Sequence, residues 1–384
     1  MRETLGIYVH IPFCRTKCDY CDFYSMAGQE HQMDDYQRAL LTQMEQSAGQ
    51  VRQYQISTIY IGGGTPSWYG DKRLAEILLL LRKKFHWGRN VEVTVEVNPD
   101  SAEEKGLRRL RRVGVNRLSL GMQSAQDTEL AAVGRPHTFA QVKQAVQMAR
   151  RVGIKNLSLD LIFGLPGQTP ESWQDTVEQA LALDPEHVSC YGLMVEEDTP
   201  LALRVEQGLS LPDDDQQAEL YLWTVRRLRE EGYRQYEVSN FARPNCQSRH
   251  NLRYWMGRPY LGFGVAAHSD FDGCRFATVR NLEDYLKGGK TPLAQWEQIP
   301  IRERGAEYLM LRLRTTVGIE EWEYRRRFCL NFEPIEARLV DYEQRGWAVK
   351  IRRRWRLTPE GFLLSNRLIG ELLLIQEQTA QTKE

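Results

Sequence analysis

The first 240 residues alternate short β-rich runs with longer amphipathic ones, and that rhythm constrains the fold more than any other feature of the chain. Strands are predicted at Gly6 to Ile11, Ser57 to Ile61, Val91 to Val97, Arg117 to Leu120, Leu157 to Ile162 and His187 to Leu193. Between them lie Asp34 to Val51, Lys72 to Phe85, Ala102 to Val113, Thr138 to Val152 and Pro170 to Leu183, with apolar residues recurring at intervals of three and four. Strand–helix alternation of this kind predicts an α/β fold, a parallel sheet covered by helices. Ile59-Tyr60-Ile61 and Leu159-Asp160-Leu161-Ile162-Phe163 are apolar almost throughout, as strands covered on both faces are. Gly62, Gly63, Gly64, Asn98 and Gln123 fall just beyond strand ends. Ligands of such sheets bind outside the carboxyl ends of the strands, so these positions converge on one candidate site.

Composition narrows the function classes. In 384 residues, 51 Lys and Arg balance 51 Asp and Glu, so no global field draws nucleic acid or an anionic membrane. No apolar run reaches the length of a membrane span, and Met1-Arg2-Glu3-Thr4-Leu5 leads into the first strand without an apolar leader. The expected location is the cytoplasm.

Cys14, Cys18 and Cys21 form a CxxxCxxC triplet with no fourth cysteine nearby. A structural zinc site wants four closed ligands, commonly as two CxxC pairs, and disulfide frameworks suit short secreted chains. A [4Fe–4S] cluster fits the odd number better, because three thiolates leave one iron open to bind a small molecule and pass it an electron. Cys190, Cys246, Cys274 and Cys329 are scattered and read mostly as small buried side chains. The segment Gly62-Gly63-Gly64-Thr65-Pro66 after the second strand allows positive φ and close backbone approach to a ligand. It lacks the lysine of a phosphate-binding P-loop and the GxGxxG of dinucleotide folds.

Triplet and GGGTP together resemble the radical S-adenosylmethionine (SAM) superfamily. The runs Tyr8-x-His10-Ile11-Pro12-Phe13-Cys14, Glu96-x-Asn98-Pro99, Gly121-x-Gln123-Ser124 and Asp160-Leu161-Ile162-x-Gly164-Leu165-Pro166-Gly167 are similar to its coproporphyrinogen III oxidase branch. The resemblance implies a partial (β/α)6 TIM-type barrel, with Cys14, Cys18 and Cys21 on the cluster. It implies SAM contacts from Tyr8, Gly63, Gly64, Thr65, Glu96, Gln123, Arg135 and Asp160. Taken singly, Glu96 and Asp160 also read as strand-end carboxylates capping a helix.

The chain departs from the oxidases in two ways. Those enzymes carry a further cysteine two residues after the third, where this chain has Phe23, and they have a longer segment before the first strand. It carries instead Arg249-His250-Asn251-Leu252-Arg253-Tyr254-Trp255 and Tyr260-Leu261-Gly262-x-Gly264-x-x-Ala267-His268-Ser269, which resemble the sister family of haem chaperones, HemW. That resemblance points to His250 as the haem-linked residue, with Tyr254 and Trp255 against the macrocycle and Arg249, Arg253 or Arg258 on the propionates. His268 and Cys246 are rival ligands. By residue type alone, His250 is a hydrogen-bonded structural histidine.

The expected organisation is a core over 1–240, an irregular linking region over 241–300, and a helical, winged-helix-like domain over 301–384. Near the first boundary a helix, Ala218 to Glu231, and a strand, Arg234 to Ser239, close the core; Trp347 to Leu357 reads as a hairpin and Pro359 to Leu374 as a helix. The expected function is haem binding and delivery to acceptor haemoproteins, membrane-associated ones included, with a [4Fe–4S] cluster and SAM as cofactors and haem as cargo. No residue is assigned a catalytic role. The alternative is oxygen-independent coproporphyrinogen III oxidation. No nucleic-acid partner is expected: Lys350-Ile351-Arg352-Arg353-Arg354-Trp355-Arg356 reads as a solvated hairpin face, and a homodimer is left open.

Overall fold

A computed structural model describes residues 3–287 and 292–381. Six parallel strands run in chain order: β1 (Thr4–Ile11), β2 (Gln55–Gly63), β3 (Trp87–Val97), β4 (Arg117–Gln123), β5 (Asn156–Phe163) and β6 (His187–Gly192). Every neighbouring pair is parallel, from Tyr8 opposite Tyr60 to Asp160 opposite Ser189, with the register stepping at Leu5/Gly6, Ile56/Thr58 and Gly121/Gln123. Each step is right for a βα repeat, because a parallel partner needs a crossover long enough to hold a helix. The helices Met33–Ser47, Asp71–Lys84, Glu104–Val113, Phe139–Arg151 and Pro170–Ala182 supply them.

The strand interiors explain the stability of this layer. Leu5, Ile7, Val9 and Ile11 of β1 and Leu118, Leu120 and Met122 of β4 are buried. Leu74, Ile77, Leu78 and Leu81, one face of their helix, are fully covered. Each such side chain contributes about 1.5–3 kcal/mol through burial. Helix starts are set locally: Thr138 and Gln141 form a capping box before Phe139–Arg151, and Thr169 and Ser172 form another before Pro170–Ala182.

Two compact units divide the chain, residues 1–220 with 259–297 and residues 221–258 with 298–384. Their limits differ from the three consecutive parts expected at 240 and 300. The strand expected over Arg234 to Ser239 is shorter: β7 (Arg234–Gln235) turns back onto β8 (Asn240–Ala242) as an antiparallel hairpin. The region expected to be irregular returns to the first unit with β9 (Tyr260–Phe263), which lies parallel to β1 on the side opposite β2. Beyond it come β10 (His268–Phe271), β11 (Cys274–Thr278) and β12 (Leu293–Gln298). These strands escape periodicity because they are short and broken by glycine, as in Tyr260-Leu261-Gly262-Phe263-Gly264.

In the second unit the helices Ile301–Arg312, Glu321–Phe328 and Glu333–Gln344 surround a three-stranded antiparallel sheet. Its order is β13 (Ile319–Glu320), β15 (Arg354–Leu357), β14 (Ala348–Ile351), the arrangement of a winged helix. Gly318 stands at φ 68°, and a Cβ there would lie 2.0 Å from the Trp355 carbonyl, so only glycine lets β13 reach β15. Tyr324 anchors the core, its ring 5.6 Å from Phe328 and 5.5 Å from Phe332. The expected terminal helix is interrupted at Leu364 and runs as Pro359–Leu363 and Ser365–Gln381; Gly361, in its first piece, packs its bare Cα against the Trp347 carbonyl.

Candidate functional site

The loop leaving β1 folds back on itself. Cys14 N–H donates to the Met26 carbonyl at 2.9 Å and Met26 N–H to that of Pro12 at 2.8 Å, so the segment between them projects as one excursion. Asp19 ties it down: its N–H reaches the Val133 carbonyl, and its carboxylate takes Arg204 at 2.9 Å. Cys14 and Cys18 are buried and Cys21 is half-buried, all three as free thiols. Burial pushes the Cys14 and Cys21 thiols up, so metal must displace their protons.

These residues fit a cluster. Gly64 faces Cys14 so closely that a Cβ would stand 2.9 Å from its Sγ and 2.8 Å from the Phe13 carbonyl, leaving bare backbone beside the first thiol. Arg135 brings a cation to 3.4 Å from the Cys18 Sγ, and Thr65 Oγ1 donates to the Cys14 Sγ at 3.4 Å. The Arg135 Nε is buried without a partner among the described residues. Among the described residues no three His, Cys, Asp or Glu gather around a single ion; cluster thiolates each take a separate iron and need no such gathering.

Of the positions expected to contact SAM, Gly63, Glu96 and Gln123 lie at the carboxyl ends of β2, β3 and β4, Gly64 and Thr65 follow β2, Tyr8 and Asp160 lie within β1 and β5, and Arg135 follows the helix Asp127–Ala132. Glu96 on β3 accepts from the Tyr60 hydroxyl at 2.7 Å and from Gly63 N–H at 3.0 Å, which joins it to the glycine segment. Burial raises its pKa to about 7, with the charge of Asp160 adding to the effect. Asp160 on β5 is also pushed up by burial, although hydroxyls of Ser189, Ser119 and Ser158 donate to it at 2.7, 2.8 and 3.0 Å. Arg135 bonds the Asn98 Oδ1 at 3.2 Å and the Gly121 carbonyl at 3.1 Å, and Asn98 reaches Thr65 at 3.4 Å. Gln123 ends β4 at φ 64°, in the left-handed region that side-chain-bearing residues rarely adopt.

Tyr8 reaches the same end through His10. The His10 Nε2 faces the Tyr24 carbonyl at 2.8 Å and must carry the proton, so Nδ1 accepts from the Tyr8 hydroxyl at 2.9 Å. Burial holds His10 neutral, its pKa lowered to about 4. His10, Tyr60 and the three serines were outside the predicted contacts. Their readable signal is polarity inside apolar strands, as in Leu118-Ser119-Leu120 and Leu157-Ser158-Leu159. Of the four scattered cysteines only Cys190 is buried; Cys329 is exposed at a left-handed helix end, which corrects the expectation of small core residues.

Known proteins match this arrangement. Residues 8–180 match the Radical SAM superfamily and residues 299–364 the HemN C-terminal domain. Over 374 residues the chain is 34% identical to a heme chaperone HemW from Bacillus subtilis, spanning 95% of this chain and 98% of that one. The chain belongs to the HemW family. Escherichia coli HemW is 32% identical over 378 residues, covering 97% and 98% of the two chains. The solved structure of Escherichia coli coproporphyrinogen III oxidase, HemN, overlays with a TM-score of 0.84 at 24% identity, covering 97% of this chain and 90% of that one, and shows the fold. As a radical SAM protein the chain is built for a [4Fe–4S] cluster and SAM.

The remaining candidate of this HemW-family chain lies in the second unit. His250 stands in the first turn of the helix Arg249–Trp255, capped by Ser248. It is fully buried, and its Nε2 meets the Tyr254 hydroxyl at 2.8 Å with the rings edge-on. Burial, with Arg253 nearby, drives its pKa down to about 3, so the imidazole is neutral at physiological pH. Arg249 and Arg258 are exposed and Arg253 is buried. Of the rival ligands, His268 is exposed on β10 and Cys246 is half-buried.

Proposed function

We propose that this chain binds haem and hands it to acceptor haemoproteins while holding a [4Fe–4S] cluster and SAM, and that it does not oxidise coproporphyrinogen. The observation that carries this reading is the end-to-end similarity to proteins named heme chaperone HemW. Phe23 supports its negative half: two residues past Cys21 it offers a 63% exposed ring in place of a thiol. The reading includes residence in the cytoplasm and membrane-associated haemoproteins among the acceptors; among the described residues no helix is long and apolar enough to cross a membrane.

Cys14, Cys18 and Cys21 would hold the cluster, with the Gly64 backbone beside the first thiol. When bound, the cluster and SAM supply one-electron chemistry. The chain's own residues orient and neutralise. Glu96 and Asp160 offer carboxylates to cationic and hydroxyl groups, Arg135 offers a fork to a carboxylate, and neutral His10 fixes the Tyr8 hydroxyl. For haem, neutral His250 needs to lose no proton before it ligates iron, but Nε2 must exchange its bond to Tyr254.

The test is anaerobic reconstitution with iron, sulfide, SAM and reductant, followed by incubation with coproporphyrinogen III. Expected is stoichiometric haem binding in a parallel titration and no protoporphyrinogen. Sustained protoporphyrinogen formation would replace this reading with the oxidase one.

A further inference from the structure

The basic run Lys350–Arg356 is used by nothing in the reading above. It forms the hairpin β14–β15, and with the helix Glu321–Phe328 it walls a groove of about 700 Å³. The cations of its floor are neutralised. Lys350 pairs with Glu336 at 2.5 Å and Arg325 with Glu321 at 2.9 Å, and Glu320 at the edge is taken by Arg354 from outside the groove at 2.7 Å. The rim is different. Arg326, Arg352 and Arg353 are exposed and have no carboxylate partner among the described residues. Arg326 lies 4.9 Å over the ring of Trp322, which is itself 61% exposed. Arg352 occupies a left-handed turn position, φ 59°, that glycine or asparagine would fill at less cost.

We infer that this groove docks an acidic protein segment carrying apolar side chains. It is the acceptor side of the delivery reading and rests on that reading. Charge complementarity selects the occupant: three unpaired guanidiniums around an exposed indole suit discrete carboxylates flanking an apolar anchor. Nucleic acid fits poorly, because a regularly spaced polyanion needs a continuous row of cations, whereas the free guanidiniums share the groove with Glu320, Glu321 and Glu336. A flat anionic bilayer fits poorly too, since the lining is concave and includes Glu320, Glu321 and Glu336.

The experiment uses the full chain and a fluorescein-labelled peptide of alternating glutamate and leucine, read by anisotropy. Expected is saturable, salt-sensitive binding that weakens about tenfold in Arg326→Ala/Arg352→Ala/Arg353→Ala and weakens in Trp322→Ala. A lysine–leucine peptide should not bind. No binding of the acidic peptide, equal binding by the triple variant, or displacement by phosphatidylserine vesicles or a DNA duplex at lower concentration than unlabelled peptide would each overturn the assignment. Haem titration of the same triple variant should match the parent; haem loss there would overturn the separation of rim from cargo site. A failure of haem binding in the parent chain would instead sink the delivery reading, which keeps the two failures distinct.

Discussion

Glu96 links the glycine segment to the strand behind it, and its ionisation can be followed without any cofactor. Its ordinary pKa is 4.5 and the fold raises it to about 7, mainly by burial. A carboxyl raised in the folded state gives its full stability when protonated in both states, below pH 4.5. That stability is lost as pH rises to 7, because the unfolded chain ionises freely while the buried site resists. The shift corresponds to about 3 kcal/mol in all, most of it lost between pH 5 and pH 8. Glu96→Gln keeps the shape and removes the titration. Its amide cannot accept from both the Tyr60 hydroxyl and Gly63 N–H, which costs about 1–3 kcal/mol at every pH. Urea unfolding of the metal-free chain at pH 5 and pH 8 measures the difference between the two proteins. The variant should be less stable at pH 5 and recover about 2–3 kcal/mol relative to the parent by pH 8. An equal difference at both pH values would refute the assignment of a raised, buried carboxyl.

Gly64→Ala forces a Cβ against the Phe13 carbonyl and Cys14 Sγ, so iron and sulfide retained after reconstitution should fall severalfold, while Gly49→Ala, with nothing within 4 Å, should retain the parent's content. His250→Ala should weaken haem binding and change the bound spectrum; an unchanged affinity and spectrum would remove His250 from the role. Tyr254→Phe keeps the ring and deletes the hydroxyl bound to the His250 Nε2, so haem should bind about fivefold tighter. Equal or weaker binding would mean that Nε2 is not the atom exposed to iron.

Periodicity reached the parallel core because long amphipathic helices and doubly covered strands repeat a pattern that only this layer satisfies. The predicted Val91 to Val97 and the observed Trp87–Val97 differ only at the solvent-facing start, where Gly88, Arg89 and Asn90 hide the strand. What escaped was short or held by tertiary contact: β9, a four-residue strand recognisable only beside β1, and Gly361, whose bare Cα meets the Trp347 carbonyl. The site was legible as residue types in and at the ends of strands: Glu96 and Gln123 close β3 and β4, and Asp160 is a carboxylate inside the apolar β5. Its wiring was not. Three serine hydroxyls on three strands meet one carboxylate, and His10 relays Tyr8 to a carbonyl fourteen residues on. Such pairings depend on register, which no single strand encodes.

Delivery itself is the claim to measure. The chain loaded with haem is mixed with increasing concentrations of an apo-haemoprotein, and the transfer rate is followed by the acceptor's Soret band. Direct hand-off predicts a rate that climbs with acceptor concentration and exceeds the rate at which haem leaves the chain alone. A rate that stays equal to spontaneous haem loss at every acceptor concentration would contradict the account.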